Sequence, residues 1–207
     1  MLKDRILHLP KDTKSLAFPG WNSQELFGNS QPLFVEYCSG NGSWIATRAQ
    51  ENPTINWIAV EKKNDRVKKI QSKILRFELS NLIVIYGEAL HATRLLFPDN
   101  SIAELIVNFP DPWPKRRHSK LRLIAPSFVN EMHRCLTSQG ISTLVTDDVS
   151  YSQWMVRHFC SHTGFNSVYP APYYTHEMPG YGTSYFEEQW RSQGLSIHYH
   201  QFEKVSA

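Results

Sequence analysis

Two different periods of apolar residues alternate along the chain. Leu33–Tyr37, Ile55–Val60, Asn81–Tyr86, Ile102–Asn108 and Ile141–Val145 are short and almost continuously apolar, as strands buried on both faces are. Between them, Val67, Ile70, Ile74 and Phe77 mark one face of a helix whose other face is rich in Lys and Arg. Phe128, Val129, Met132, Cys135 and Leu136 repeat in the same way after Pro126, which suits a first helical turn, and Gly140 is expected to end that helix. Further helices are expected at 43–49, with Ser43 as N-cap, at 90–97 and at 151–160, with a strand at Phe165–Tyr169 and polar/apolar alternation from Leu195 to Phe202. Strands alternating with helices predict an α/β domain over residues 32–207, its sheet mostly parallel and covered by helices on both faces. Residues 1–31, broken by Pro10, Pro19-Gly20 and Gly28-Asn29, read as a loosely structured lead-in.

Composition adds a charge pattern to this outline. The chain has 207 residues, enough for a full core, and a net charge of only +3. Lys115, Arg116, Arg117, Lys120 and Arg122 contribute +5 of it, leaving −2 for the remainder, and no Asp or Glu lies between Pro112 and Asn130. Such a local cluster points to an anionic partner. Cys38, Cys135 and Cys160 show no C-x-x-C spacing, which argues against a disulfide framework or zinc site and fits a reducing cytoplasm. No run of about eighteen apolar residues occurs, so no membrane partner is expected.

The candidate chemistry lies where predicted strands end. Cys38-Ser39-Gly40-Asn41-Gly42 joins the first strand to a helix, and Glu36, Glu61, Glu88 and Asp111 sit at or near four strand ends. Parallel strands would place those acids along one crevice, with Glu61 in position for a ribose diol. A dinucleotide fingerprint wants a third glycine where this chain has Trp44, which disfavours an NAD-dependent oxidoreductase. After the strand at 102–108, two prolines flank Asp111 and bias the backbone toward turn and extended conformations. Trp113 and the basic cluster follow directly. His118 has no second His or Cys at ligand spacing, so it reads as loop support and no metal is expected.

Glu36-Tyr37-Cys38-Ser39-Gly40-Asn41-Gly42, Ile58-Ala59-Val60-Glu61, Asn108-Phe109-Pro110-Asp111-Pro112-Trp113-Pro114-Lys115-Arg116-Arg117-His118-Ser119-Lys120, Thr146-Asp147 and Ser184-Tyr185-Phe186-Glu187 together resemble the bacterial tRNA (guanine-N7-)-methyltransferases. The resemblance implies a Rossmann-like fold of the S-adenosylmethionine-dependent methyltransferase type and methylation of the variable-loop guanosine at tRNA position 46. It implies donor binding by Glu36, Gly40, Gly42, Glu61, Glu88 and Asp111, with Asp111 also catalytic. Lys115, Asp147, Ser184 and Glu187 would face the substrate, and Arg117, His118, Lys120 and Arg122 would contact RNA. Cys38 stands at the family's first donor-loop glycine, Glu88 at its usual Asp, Leu121 at a usual basic residue and Ser184 at its usual Thr.

Guanine N7 carries a free lone pair and needs no deprotonation before it attacks a methyl sulfonium, so placement and charge stabilisation are the expected tasks. Two other readings stay open in the sequence: an exocyclic-amine RNA methyltransferase, suggested by Asn108-Phe109-Pro110-Asp111, and a non-catalytic RNA-binding protein on a degenerate methyltransferase fold. A monomer and a homodimer are both compatible with the sequence.

Overall fold

The computed structural model describes residues 2–9 and 18–205. Two compact units divide the chain, Met1–Pro98 and Asp99–Ala207.

In the first unit the strands are β1 (Leu2–Lys3), β2 (Ile6–His8), β3 (Leu33–Tyr37), β4 (Asn56–Glu61) and β5 (Leu82–Tyr86), and the helices are α1 (Ser43–Glu51), α2 (Asn64–Arg76) and α3 (Ala89–Leu96). The strand order is β1-β2-β5-β4-β3, with every pair parallel except β1 with β2. All six residues of β4 are buried, and Leu82, Ile83, Val84 and Ile85 of β5 have no exposed surface. Continuous apolarity therefore marks central parallel strands here. On α2, Val67, Ile70 and Ile74 are buried, while Phe77 falls at the C-cap and is 38% exposed.

Two sequence expectations change in this unit. The lead-in is not loose where it is described: Ile6, Leu7 and His8 pair with Val84, Ile85 and Tyr86. Arg5 donates to the carbonyls of Leu82 and Leu26, both at 3.1 Å, and Trp21 donates from its indole to the Leu96 carbonyl at 2.9 Å while stacking on Phe97. These long-range contacts leave no short-range period in the sequence. Ser43 is the first helical residue instead of the cap, because Gly42 occupies the cap at φ 72°. A Cβ on Gly42 would lie 2.6 Å from Ile70 Cγ1, so glycine there serves the approach of α1 to α2.

In the second unit the strands are β6 (Ile102–Asn108), β7 (Leu136–Thr146), β8 (Phe165–Ser167) and β9 (His198–Lys204), with helices α4 (Pro126–Cys135), α5 (Val149–Cys160) and α6 (Tyr185–Ser192). The order is β6-β7-β9-β8, where β6 and β7 are parallel and the other two pairs antiparallel. The expected helix end at Gly140 is corrected: α4 stops at Cys135 and β7 starts at Leu136. Gly140 sits inside β7, where a Cβ would approach the carbonyls of Thr137 and Ala103 to 3.0 and 3.1 Å. Its local role is close strand approach, which a glycine in a strand often marks.

Candidate active site

The first unit carries the expected donor-side residues. Glu36 is the penultimate residue of β3 at 2% exposure, and Glu61 ends β4 at 4%. Between β3 and α1 the backbone turns through left-handed conformations at Cys38 (φ 63°), Gly40 (φ 55°) and Gly42 (φ 72°). The Gly40 N–H donates to Glu61 Oε2 at 3.1 Å, and the Lys63 N–H donates to Oε1 at 2.9 Å. Arg66 approaches the same carboxylate at 3.9 Å. A carboxylate accepts about four hydrogen bonds, so two backbone donors leave Glu61 capacity for a vicinal diol. The residues thus fit an adenosine-type donor. Trp44, at 7% exposure, packs edge-on against Trp57, which makes the bulky residue after the turn part of the core.

The glycines and Glu88 turn out to have local duties. Gly40 presents its N–H to Glu61, and Gly42 makes room for Ile70. Glu88 is the N-cap of α3 and accepts from the His91 N–H at 2.9 Å. An N-cap carboxylate stabilises a helix start by itself, so its placement needs no ligand.

The second unit carries the acid-bearing loop and the basic cluster. β6 ends at Asn108, whose side-chain oxygen accepts from the Tyr181 hydroxyl at 2.7 Å. Phe109 (φ 45°) and Trp113 (φ 44°) are both left-handed, a costly conformation for bulky side chains, and they bracket the exposed Asp111. The Phe109 N–H donates to the Val145 carbonyl at 2.9 Å, and its ring lies 6.1 Å from that of Phe186. Lys115 precedes a 3-10 turn over Arg116–Leu121, on which Arg117 and Lys120 are exposed. His118 meets the Trp113 ring edge-on at 5.8 Å and accepts from Arg117 Nε at 3.2 Å, in keeping with loop support.

Arg122, expected to contact RNA, is placed differently from its exposed neighbours Arg117 and Lys120. It is only 9% exposed, donates from Nε to the Pro112 carbonyl at 2.7 Å, and lies 5.1 and 4.8 Å from the rings of Tyr151 and Trp154. A guanidinium held in this way braces the loop from beneath. Alternation with its basic neighbours concealed this, since nothing in the local sequence announces aromatic partners about thirty residues on.

The remaining expected residues lie on the helix starts of the same unit. Asp147 is half-buried after β7, where burial, and secondarily Asp148, push its carboxyl above the usual range. Ser184 caps α6 and accepts from the Glu187 N–H at 3.1 Å. Glu187 does not close the reciprocal half of a capping box. Its Oε1 accepts instead from Tyr199 Oη at 2.6 Å and Arg191 Nε at 3.0 Å. Its Oε2 is buried with no hydrogen-bond partner among the described residues. A buried carboxylate oxygen in that condition is costly and calls for a donor. Tyr181, Arg191 and Tyr199, which fix Asn108 and Glu187, were not singled out in sequence; the aromatic-rich stretch at 170–182 reads only as loop. Among the described residues, no group of three or more His, Cys, Asp or Glu is placed to hold a metal ion, and no helix is long and apolar enough to cross a membrane.

The family model Methyltransf_4, described as "Putative methyltransferase", matches residues 30–199. A tRNA (guanine-N(7)-)-methyltransferase of Chlamydia caviae is 42% identical over 206 residues, covering 98% of this chain and 90% of the relative. The enzyme of the same name from Listeria innocua is 30% identical over 178 residues, covering 84% and 81%. Among solved structures, the 16S rRNA methyltransferase KamB aligns with a TM-score of 0.66 at 15% identity, over 92% of this chain and 96% of that one. TrmN from Thermus thermophilus aligns with a TM-score of 0.62 at 17% identity, over 85% and 45%. These two likenesses establish the Rossmann-like methyltransferase fold.

Proposed function

This chain belongs to the tRNA (guanine-N(7)-)-methyltransferase family, and from that premise we propose that it methylates the variable-loop guanosine at position 46 of tRNA. Methyl transfer to guanine N7 of tRNA is the activity its relatives are named for, and the fold is of the type that uses S-adenosylmethionine as donor. The observation that carries the reading is 42% identity maintained over 98% of the chain.

The donor supplies an electrophilic methyl on a sulfonium, and the protein's work is to bind and orient. Glu61 takes the ribose diol, with Glu36 and the Gly40–Gly42 turn beside it and Glu88 at the adenine side. N7 attacks through its own lone pair, so no residue need remove a proton. Orientation of this kind is worth roughly 7–11 kcal/mol. The guanine becomes cationic as the methyl arrives, and the Asp111 carboxylate, held out by left-handed Phe109 and Trp113, stabilises that charge. Glu187 Oε2 takes the N–H edge of guanine, which would satisfy its missing partner. Asp147 and Ser184 flank that base, Trp113 stacks on it, and Lys115, Arg117 and Lys120 meet phosphates. Residues 32–207 form the methyltransferase domain, and the protein acts in the cytoplasm without a metal.

Methyl transfer to total tRNA, followed by identification and placement of the modified nucleoside, tests this reading. 7-Methylguanosine at position 46 is expected. A label on an exocyclic amine, or none on tRNA, would overturn it.

A further inference from the structure

The basic cluster of the loop is matched by a second concentration of positive charge elsewhere in the chain. Lys62–Glu78 contains seven Lys or Arg and two acids, a net +5. Subtracting this segment and the equal +5 of Lys115–Arg122 from the chain's +3 leaves −7 for everything else. The positive charge is therefore gathered in two places on an otherwise acidic molecule.

Helix geometry orders the first of them. Lys62, Arg66, Lys69, Lys73 and Arg76 recur at spacings of four, three, four and three, one narrow stripe along and just ahead of α2. The neighbouring stripe, Val67, Ile70 and Ile74, is buried, which fixes the helix and turns the cations outward. Lys62, Lys69 and Arg76 are exposed, and Arg66 and Lys73 half-buried. Arg66 to Arg76 alone spans about 15 Å of helix axis. Among the described residues the stripe's one ion pair is Arg66 with Glu61, at 3.9 Å. Burial, then the like charges of Lys69 and Arg76, depress the Lys73 ammonium. A helix that only needed solubility would intersperse acids at four-residue spacing throughout; here Asp65, four residues before Lys69, is the one acid within α2, and the like charges of the stripe outnumber it.

The stripe also touches the donor turn. Lys73 Nζ donates to the Asn41 carbonyl at 2.8 Å, and Arg66 reaches Glu61. Whatever polyanion lies along α2 therefore runs up to the residues assigned to the donor.

We propose that the Lys62–Arg66–Lys69–Lys73–Arg76 stripe of α2 is a second tRNA-binding surface, which holds backbone phosphates independently of the 115–120 cluster. This rests on tRNA being the substrate. An anionic membrane is the weaker occupant, because the apolar face of α2 is committed to the core and the exposed Phe77 ring lies under the Arg76 guanidinium at 5.3 Å.

The test is a K62Q/K69Q/R76Q triple variant, which leaves untouched the two cations that contact the donor turn. Binding of total tRNA is measured by filter retention from 50 to 200 mM salt, beside S-adenosylmethionine affinity and thermal midpoint. Loss of three phosphate contacts lowers the slope of log K against log salt by about 2–3 and weakens binding at least about tenfold, with the kinetic loss in KM for tRNA. Donor affinity and midpoint stay at the wild-type values. An unchanged slope and affinity, with wild-type protein binding tRNA, makes the stripe a solvated face and overturns the proposal. Stripe-dependent sedimentation with phosphatidylglycerol vesicles at unchanged tRNA affinity overturns it too. Stripe-dependent tRNA binding without N7 methylation would keep this surface while sinking the position-46 reading.

Discussion

The turn at 38–42, proposed to hold the donor, and the loop at 108–122, proposed to meet the acceptor base, both follow a buried parallel strand and both bend through left-handed residues, yet they are stabilised differently. In the donor turn the acid is a structural partner: Glu61 is buried and already accepts from Gly40 and Lys63. The acceptor loop instead leaves its acid, Asp111, exposed and places the bracing elsewhere, with Arg122 beneath Pro112 and Tyr181 on Asn108. The first arrangement suits a ligand whose shape is constant. The second holds a carboxylate in place without spending it on the fold, as a group that must meet a developing charge requires. If that contrast is right, substitutions at the loop's acid should cost activity and not stability, and substitutions at its brace should cost both.

The sharpest test is Asp111→Asn. Removal of a positioned electrostatic stabiliser costs on the order of 10²–10³ in kcat. Affinity for tRNA and the thermal midpoint should remain near wild type. Near-normal turnover by this variant would mean that the exposed acid is not used.

Arg122→Ala probes the brace. It removes a charged hydrogen bond and two cation–π contacts at a site 9% exposed, worth together about 3 kcal/mol of stability. The salt dependence of tRNA binding should not change. A slope lower by about 0.9 would restore Arg122 to the phosphate ligands.

The second unit should also be the acid-sensitive one. On β9, His200 is wholly buried, hydrogen-bonded to Ser152 and to the Tyr173 carbonyl, and burial, followed by His198, holds it down to about 4. His198 is likewise depressed by burial, and stacks on Tyr174 at 4.0 Å. A histidine lowered in the fold contributes stability above its unfolded value of about 6.5, and that stability is lost as pH falls toward the folded value. Between pH 7 and pH 5, His200 alone should withdraw about 2 kcal/mol, read as a falling urea midpoint that flattens in His200→Asn. A midpoint independent of pH over that window would contradict its burial as a neutral ring.

How much of this was legible in sequence follows the range of the contacts. β3, β4, β5 and β6 fell close to their expected places because a strand buried on both faces writes itself as a continuous apolar run. The glycine turn and the four strand-end acids could be read for the same reason. The brace could not. Arg122 looked like one more cation in a basic run, and its partners Tyr151 and Trp154 belong to a helix that begins well downstream. Tyr181 lies 73 residues from the asparagine it holds. The strand β2 was missed because three residues carry too little period to register. Local pattern announced where the strands end and turn, and side chains remote in sequence decided which acid was left exposed.

The smallest effect compares strain with strain. Cys38 at φ 63° and Trp113 at φ 44° occupy conformations that cost a non-glycine residue about 1–2 kcal/mol. In the turn proposed to hold the donor, a side chain at this position narrows the room left for that donor. Cys38→Gly should therefore stabilise the protein by roughly 0.5–1 kcal/mol, after the backbone entropy that glycine brings to the unfolded chain, and tighten S-adenosylmethionine binding. In the acceptor loop the same relief should do harm. Trp113→Gly loses the edge contact with His118 and the stacking surface offered to the base, so kcat falls even if the backbone relaxes. Paired thermal melts, donor titrations and single-turnover rates distinguish the two. Equal gains from both glycines would show that neither strained residue is used, and the contrast between turn and loop would fail.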